Sequence, residues 1–171
     1  GCTELETLKV GNSIRAIPPY AFQSCSALCE IVIPQSATSI GDCAFRKCTA
    51  LTNVIIEDRD STLAIGSNGW STMFSDCPLD SVYIGGDISY NTSKSYGYSP
   101  FYRNTSLRTV VITDKEDEIY DNEFYGCTGL KNVTIGNGVS FIGECAFAYC
   151  DSLTSVAIPA SVTTMDGGAF M

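Results

Sequence analysis

Nine cysteines and nineteen carboxylates stand against no histidine in this 171-residue chain. Thiols can cross-link or hold zinc, and carboxylates can bind calcium or cleave a glycosidic bond as a pair. The missing histidine removes the Ser-His-Asp and Cys-His nucleophile pairs and every zinc site built on imidazole. The carboxylates are densest at Asp114, Glu116, Asp117, Glu118, Asp121 and Glu123, opposed by Lys115 alone. That run reads as a solvated loop. A weak calcium site is the alternative, but EF-hand spacing and its turn glycine are missing. A glycosidase built on carboxylates such as Asp58 or Asp117 remains the remote enzymatic reading, and no insertion is large enough to form a pocket around them. No catalytic residue, metal or cofactor is expected.

The positions of the cysteines explain them better than thiol chemistry does. Cys2, Cys25, Cys48, Cys77, Cys127 and Cys150 share one phase of a repeat, with Asn104 in the same phase. Three places before the last six of these seven stand Phe22, Phe45, Phe74, Phe101, Phe124 and Phe147, and Phe170 follows in step. An L-x-x-V-x-I trio follows, as in Leu51-Val54-Ile56 and Leu130-Val133-Ile135, and it or a close variant occurs seven times. Most copies carry a further apolar residue five places before the Phe: Ile17, Ile40, Tyr96, Ile119, Ile142 and Met165. Self-similarity at a fixed period is the mark of a stacked repeat architecture.

The trio alternates with period two, as a strand with one buried face does. Such short strands can pair as a parallel sheet when copies stack about 4.8 Å apart. The segment before each cysteine, such as Gly41 to Cys48, is too short for an isolated helix. It reads as one helical or 3-10 turn that drops its Phe into the core. Column cysteines then pack as small buried thiols, Cys43 and Cys145 form a second equivalent pair, and Cys29 is exposed. A zinc site from Cys25, Cys29, Cys43 and Cys48 would need ligands from different sides of a coil.

The runs SIGDCAFRKCTALTNVII and FIGECAFAYCDSLTSVAIP closely resemble the BspA-like leucine-rich repeats of bacterial surface proteins, and the resemblance covers residues 2–171. It implies a right-handed leucine-rich-repeat solenoid of about seven coils of about 23 residues, with a parallel β-sheet on one side. It further implies an extracellular or cell-surface location and adhesion to host proteins or other cells, with no catalytic residues. The departures are Asn104 for Cys, the shortened Cys77-Pro78-Leu79 step, and longer repeats three and four.

The chain reads as a single solenoid over 1–171, and its abrupt ends suggest a piece of a longer protein. A Gly-Cys start also fits a processed lipoprotein, although Cys2 keeps the repeat phase. No apolar run is long enough to span a membrane. With a net charge of −9 and no basic cluster, nucleic acid is excluded as a partner.

Binding candidates follow from the alternation. The middle residue of V-x-I faces away from the core, so coils two to five present Val32, Ile55, Tyr83 and Val111 in one row. The adjoining column, Glu30, Asn53, Ser81 and Thr109, is polar. An apolar stripe with a polar border is how a binding surface is built, although strand propensity alone also places such residues there. The insertions follow Ile56 and Ile84, the second lying between Gly85 and Ser95, and these regions carry Trp70, Tyr90, Tyr98 and Tyr102. Loops of a stack often form its binding side. The expected partner is a protein or glycan, and a spacer with no ligand fits the same sequence.

Overall fold

The computed structural model describes residues 1–66, 72–90 and 99–171. Two short strands alternate along the chain. The first coil gives β1 (Thr7–Lys9) and β2 (Ala16–Ile17), and the second β3 (Glu30–Ile33) and β4 (Ser39–Ile40). The third gives β5 (Asn53–Ile56) and β6 (Leu63–Ile65), and the fourth β7 (Ser81–Ile84) and β8 (Ile88–Ser89). The fifth gives β9 (Thr109–Ile112) and β10 (Glu118–Ile119), and the sixth β11 (Asn132–Ile135) and β12 (Phe141–Ile142). β13 (Thr164–Met165) closes the series.

The V-x-I strands pair in parallel in the order β1-β3-β5-β7-β9-β11. Their register matches repeat position to repeat position, with Val32 beside Ile55, Ile55 beside Tyr83, and Tyr83 beside Val111. The minor strands form a second pair of sheets, β2-β4-β6-β8 and β10-β12-β13. The seventh L-x-x-V-x-I copy, Leu153 to Ile158, forms no strand, so the wide sheet has six members.

The core is built by translation. The seven phenylalanine rings form a single file, each nearly parallel to the next, with centroids 5.4, 5.9, 5.8, 5.4, 5.2 and 5.1 Å apart from Phe22 to Phe170. Offset ring stacking at such distances adds to the burial itself. Beside the rings run the buried thiols. Cys48, Cys77, Cys127 and Cys150 donate S–H to the carbonyls of Phe22, Phe45, Phe101 and Phe124, at 3.0 to 3.3 Å. These bonds show why a thiol suits this column: it fills a small apolar space and satisfies one carbonyl of the previous coil. The column thiols are not cross-linked, and Cys2, which shares their phase, is exposed.

The expected helical turns are absent among the described residues, and pairs of tight turns replace them. In coil two, Ala44 N–H bonds the Gly41 carbonyl and Cys48 N–H bonds that of Phe45. The third residue of each turn is left-handed: Cys43 at φ 54° and Lys47 at φ 62°. Tyr20 and Ser24, and Cys145 and Tyr149, repeat the pair. A right-handed helix cannot pass through such residues. The strain is tolerated because alternate N–H groups then point along the stack, Phe22 to the Ala44 carbonyl and Ser24 to that of Arg46, each at 2.8 Å. Successive coils are therefore stitched on the turn side as well as through the sheets.

Two further expectations change. The minor strand of coil four is Ile88–Ser89, paired with Leu63 and Ala64, so its extra residues follow Ser89 and do not begin at Gly85. Tyr96 lies outside the described residues. The acidic run is not wholly solvated, because Glu116 and Glu123 are each only 2 % exposed.

Candidate functional site

The strand alternation puts Val32, Ile55, Tyr83 and Val111 on the outer face of β3, β5, β7 and β9, each half-buried against its neighbours in the row. Lys9 and Thr134 continue the row at either end and are exposed. The polar column alongside is tied together where Ser81 Oγ donates to Asn53 Oδ1 at 2.9 Å. On the other flank Tyr83 donates its hydroxyl to Asp58 Oδ1 at 2.7 Å. That bond to a carboxylate raises the phenol above its ordinary value and fixes the ring on the surface. Gly85 follows the strand where a β-carbon would lie 2.5 Å from Asp58 N, so only glycine lets the two coils close there. Among the described residues the face offers shape, apolar area and hydrogen bonding.

The aromatic candidates separate. Trp70 and Tyr98 lie outside the described residues. Tyr90 packs inward against the core, edge-on to Tyr120 at 5.4 Å, with its hydroxyl shielded from solvent. Tyr102 belongs to the turn side, where its ring stacks on Tyr125 at 5.2 Å.

Tyr90 borders the acids of the 114–123 run, two of which are buried. Burial, with Glu123 and Asp87 nearby, pushes the Glu116 carboxyl up to about 10. Burial pushes Glu123 up to about 8, although it accepts the Tyr120 N–H at 2.8 Å. Among the described residues no cluster of three His, Cys, Asp or Glu side chains is arranged to hold a metal. Burial also raises the thiols of Cys127 and Cys150, to about 12 and about 11, which keeps them protonated donors to the carbonyls they meet.

Sequence reasoning also missed Arg59, only 4 % exposed. Its guanidinium donates to the carbonyls of Ala37 at 2.6 Å and Pro34 at 2.9 Å, tying the enlarged third coil to the second. A lone arginine after a strand in an insertion carries no signal of burial.

Stacked parallel strands in repeat register and a file of core rings define a leucine-rich-repeat solenoid. The BspA type leucine-rich repeat region matches over residues 1–100 and 94–171, in six copies. The chain belongs to that family. A leucine-rich cell surface protein from Faecalibacterium prausnitzii is 28 % identical, with a TM-score of 0.58, over 96 % of this chain and 43 % of its own. A leucine-rich repeat protein from Bacteroides ovatus is 22 % identical, with a TM-score of 0.56, over 92 % of this chain and 48 % of its own. One from T. pallidum is 20 % identical, with a TM-score of 0.50, over 83 % and 72 %. The chain thus spans less than half the length of the first two. No curated protein matches it. Among the described residues no helix is long and apolar enough to cross a membrane.

Proposed function

We propose that the chain is a non-catalytic cell-surface interaction module that adheres to a host or matrix protein or glycan through its outer sheet face. The observation that carries this reading is the in-register row Val32, Ile55, Tyr83, Val111, four coils long with a polar column beside it. Tyrosine is enriched where binding energy concentrates, and a ring anchored by a carboxylate loses little freedom on binding. The similarity to a cell surface protein of Faecalibacterium prausnitzii supports the location. Membership of the repeat family supports an interaction role. Trp70 and Tyr98, in the longer repeats three and four, are further binding candidates from the sequence.

The test is a binding screen against extracellular-matrix proteins and glycans with wild type, Tyr83→Ala, Ile55→Ser and Trp70→Ala. A hit weakened about tenfold or more by the sheet-face variants supports the reading. A ligand bound equally by all of them removes the face as the site, and a screen with no hit favours the spacer.

A further inference from the structure

Two irregularities of the repeat meet in space. In the other coils two residues separate the column position from the next leucine, as Thr49 and Ala50 do between Cys48 and Leu51, but between Cys77 and Leu79 there is only Pro78. The corner between Phe74 and β7 is therefore one residue short, and the next column position carries Asn104 instead of cysteine. Asn104 Nδ2 donates to the Cys77 carbonyl at 2.8 Å, holding the short corner from the side. At this short corner lies a hollow of about 780 Å³, lined by Pro78 with Thr49 and Thr105 of the neighbouring corners and by Asp76, Tyr102 and Arg103. A second hollow of about 410 Å³ shares Arg103 and Thr105 and continues past Tyr125 to Tyr149 and Asp151.

The wall between the hollows is preassembled. Tyr102 and Tyr125 stack within 9° of parallel, Tyr149 meets Tyr125 edge-on at 5.2 Å, and Tyr149 is 46 % exposed. The Arg103 guanidinium carbon lies 5.4 and 5.8 Å from the centroids of the first two rings, within cation–π range. Gly126, at φ 70°, makes room for it, since a β-carbon there would come within 2.8 Å of Arg103 Cγ. Arg108 Nη1 fixes the rim by donating to the carbonyls of Thr105 at 3.0 Å and Ser106 at 2.7 Å.

We propose that this corner groove binds a neutral oligosaccharide. Tyrosine faces receive the C–H face of a pyranose ring, while a guanidinium, two carboxylates and threonine hydroxyls serve its alternating hydroxyl donors and acceptors. Each hollow falls within the range of about 300–1,000 Å³ typical of small-ligand clefts. An anionic ligand would meet Asp76 and Asp151 against Arg103 in the field of a chain carrying −9. A protein segment would lack deep apolar pockets for its anchors, because the larger hollow is lined chiefly by hydroxyl, amide and charged groups. The groove shares no residue with the row on the sheet face, and the two readings stand or fall separately.

The test is calorimetric titration of the chain with cellohexaose, xylohexaose, mannohexaose and maltohexaose, and with a sulfated heparin hexasaccharide. The variants are Arg103→Ala, Arg103→Lys, Tyr125→Ala, an extra serine inserted between Cys77 and Pro78, and Tyr83→Ala, each checked for native melting. The expected result is binding of at least one neutral saccharide, weakened about tenfold or more by Arg103→Ala, Tyr125→Ala and the insertion, and unchanged by Tyr83→Ala. Arg103→Lys, which keeps the charge and loses the planar stack, weakens it less than alanine; it and the insertion decide the matter should Tyr125→Ala fail to fold. The proposal is overturned by no neutral saccharide bound, by equal binding in every corner variant, by loss in Tyr83→Ala alone, or by tighter binding of the sulfated probe.

Discussion

In the regular coils each buried group meets a copy of itself: ring on ring, thiol to the preceding carbonyl, isoleucine beside isoleucine. Around coils three to five that regularity fails, and individual residues take over. Arg59 satisfies two carbonyls, Asn104 replaces a thiol, and Glu116 and Glu123 are enclosed beside Tyr90 and Tyr120. Ring spacing records the same contrast. The two contacts of Phe74 measure 5.9 and 5.8 Å, against 5.1 to 5.4 Å elsewhere. Translation gives stability by nearest-neighbour stacking, and departures from it give local shape, including the corner groove.

The contrast can be broken most directly in the ring file. Phe124→Ala removes a fully buried ring with close neighbours on both sides and is expected to cost about 3–5 kcal/mol in urea unfolding, with Phe74→Ala at the lower end. Equal losses would mean that the irregular coils are packed as tightly as the regular ones.

Arg59→Met leaves the Pro34 and Ala37 carbonyls without their donor and is expected to cost about 2–3 kcal/mol, although the residue belongs to no repeat position. Native melting would place the insertion's stability elsewhere.

The buried acids give the irregular region its own pH signature. An unfolded glutamate releases its proton near 4.5, whereas folded Glu123 and Glu116 hold theirs to about 8 and about 10. Across that window the unfolded chain binds fewer protons, so stability falls as pH rises, by an amount on the order of a few kcal/mol. Urea midpoints from pH 5 to pH 9 should decline in wild type and decline less in Glu116→Gln. Identical slopes would show that Glu116 is not held protonated. Smallest of all, Asn104→Cys restores the repeat residue and loses one amide bond to the Cys77 carbonyl, for about 1 kcal/mol. A gain in stability would mean that the short corner accepts a thiol as well as the regular coils do.

What repeats was legible. The period fixes which Phe meets which, so the ring file, the sheet register and the outer row follow from spacing alone. The turn was misread because its left-handed residues are mostly not glycine: Lys47 at φ 62° is held there by the Ser75 carbonyl of the next coil, a partner 28 positions away. Coil four was misaligned because SYGYSPF mimics SIGDCAF, while pairing with Leu63 selects Ile88. Burial of Arg59 and Glu116 is set by neighbours on other coils, and the groove lies at a corner one residue short.

The core grows by side chains that add coil upon coil, and excising one period tests this. Removing residues 129–151 takes out 23 residues and joins Thr128 to Ser152 in phase. The expected product is a cooperatively melting protein with unchanged β-type circular dichroism, shorter in solution scattering by about one strand spacing of 4.8 Å. An out-of-phase excision of about 18 residues, about five short of one coil, should not fold. Collapse of the in-phase variant, or equal survival of both, would contradict a core built by translation.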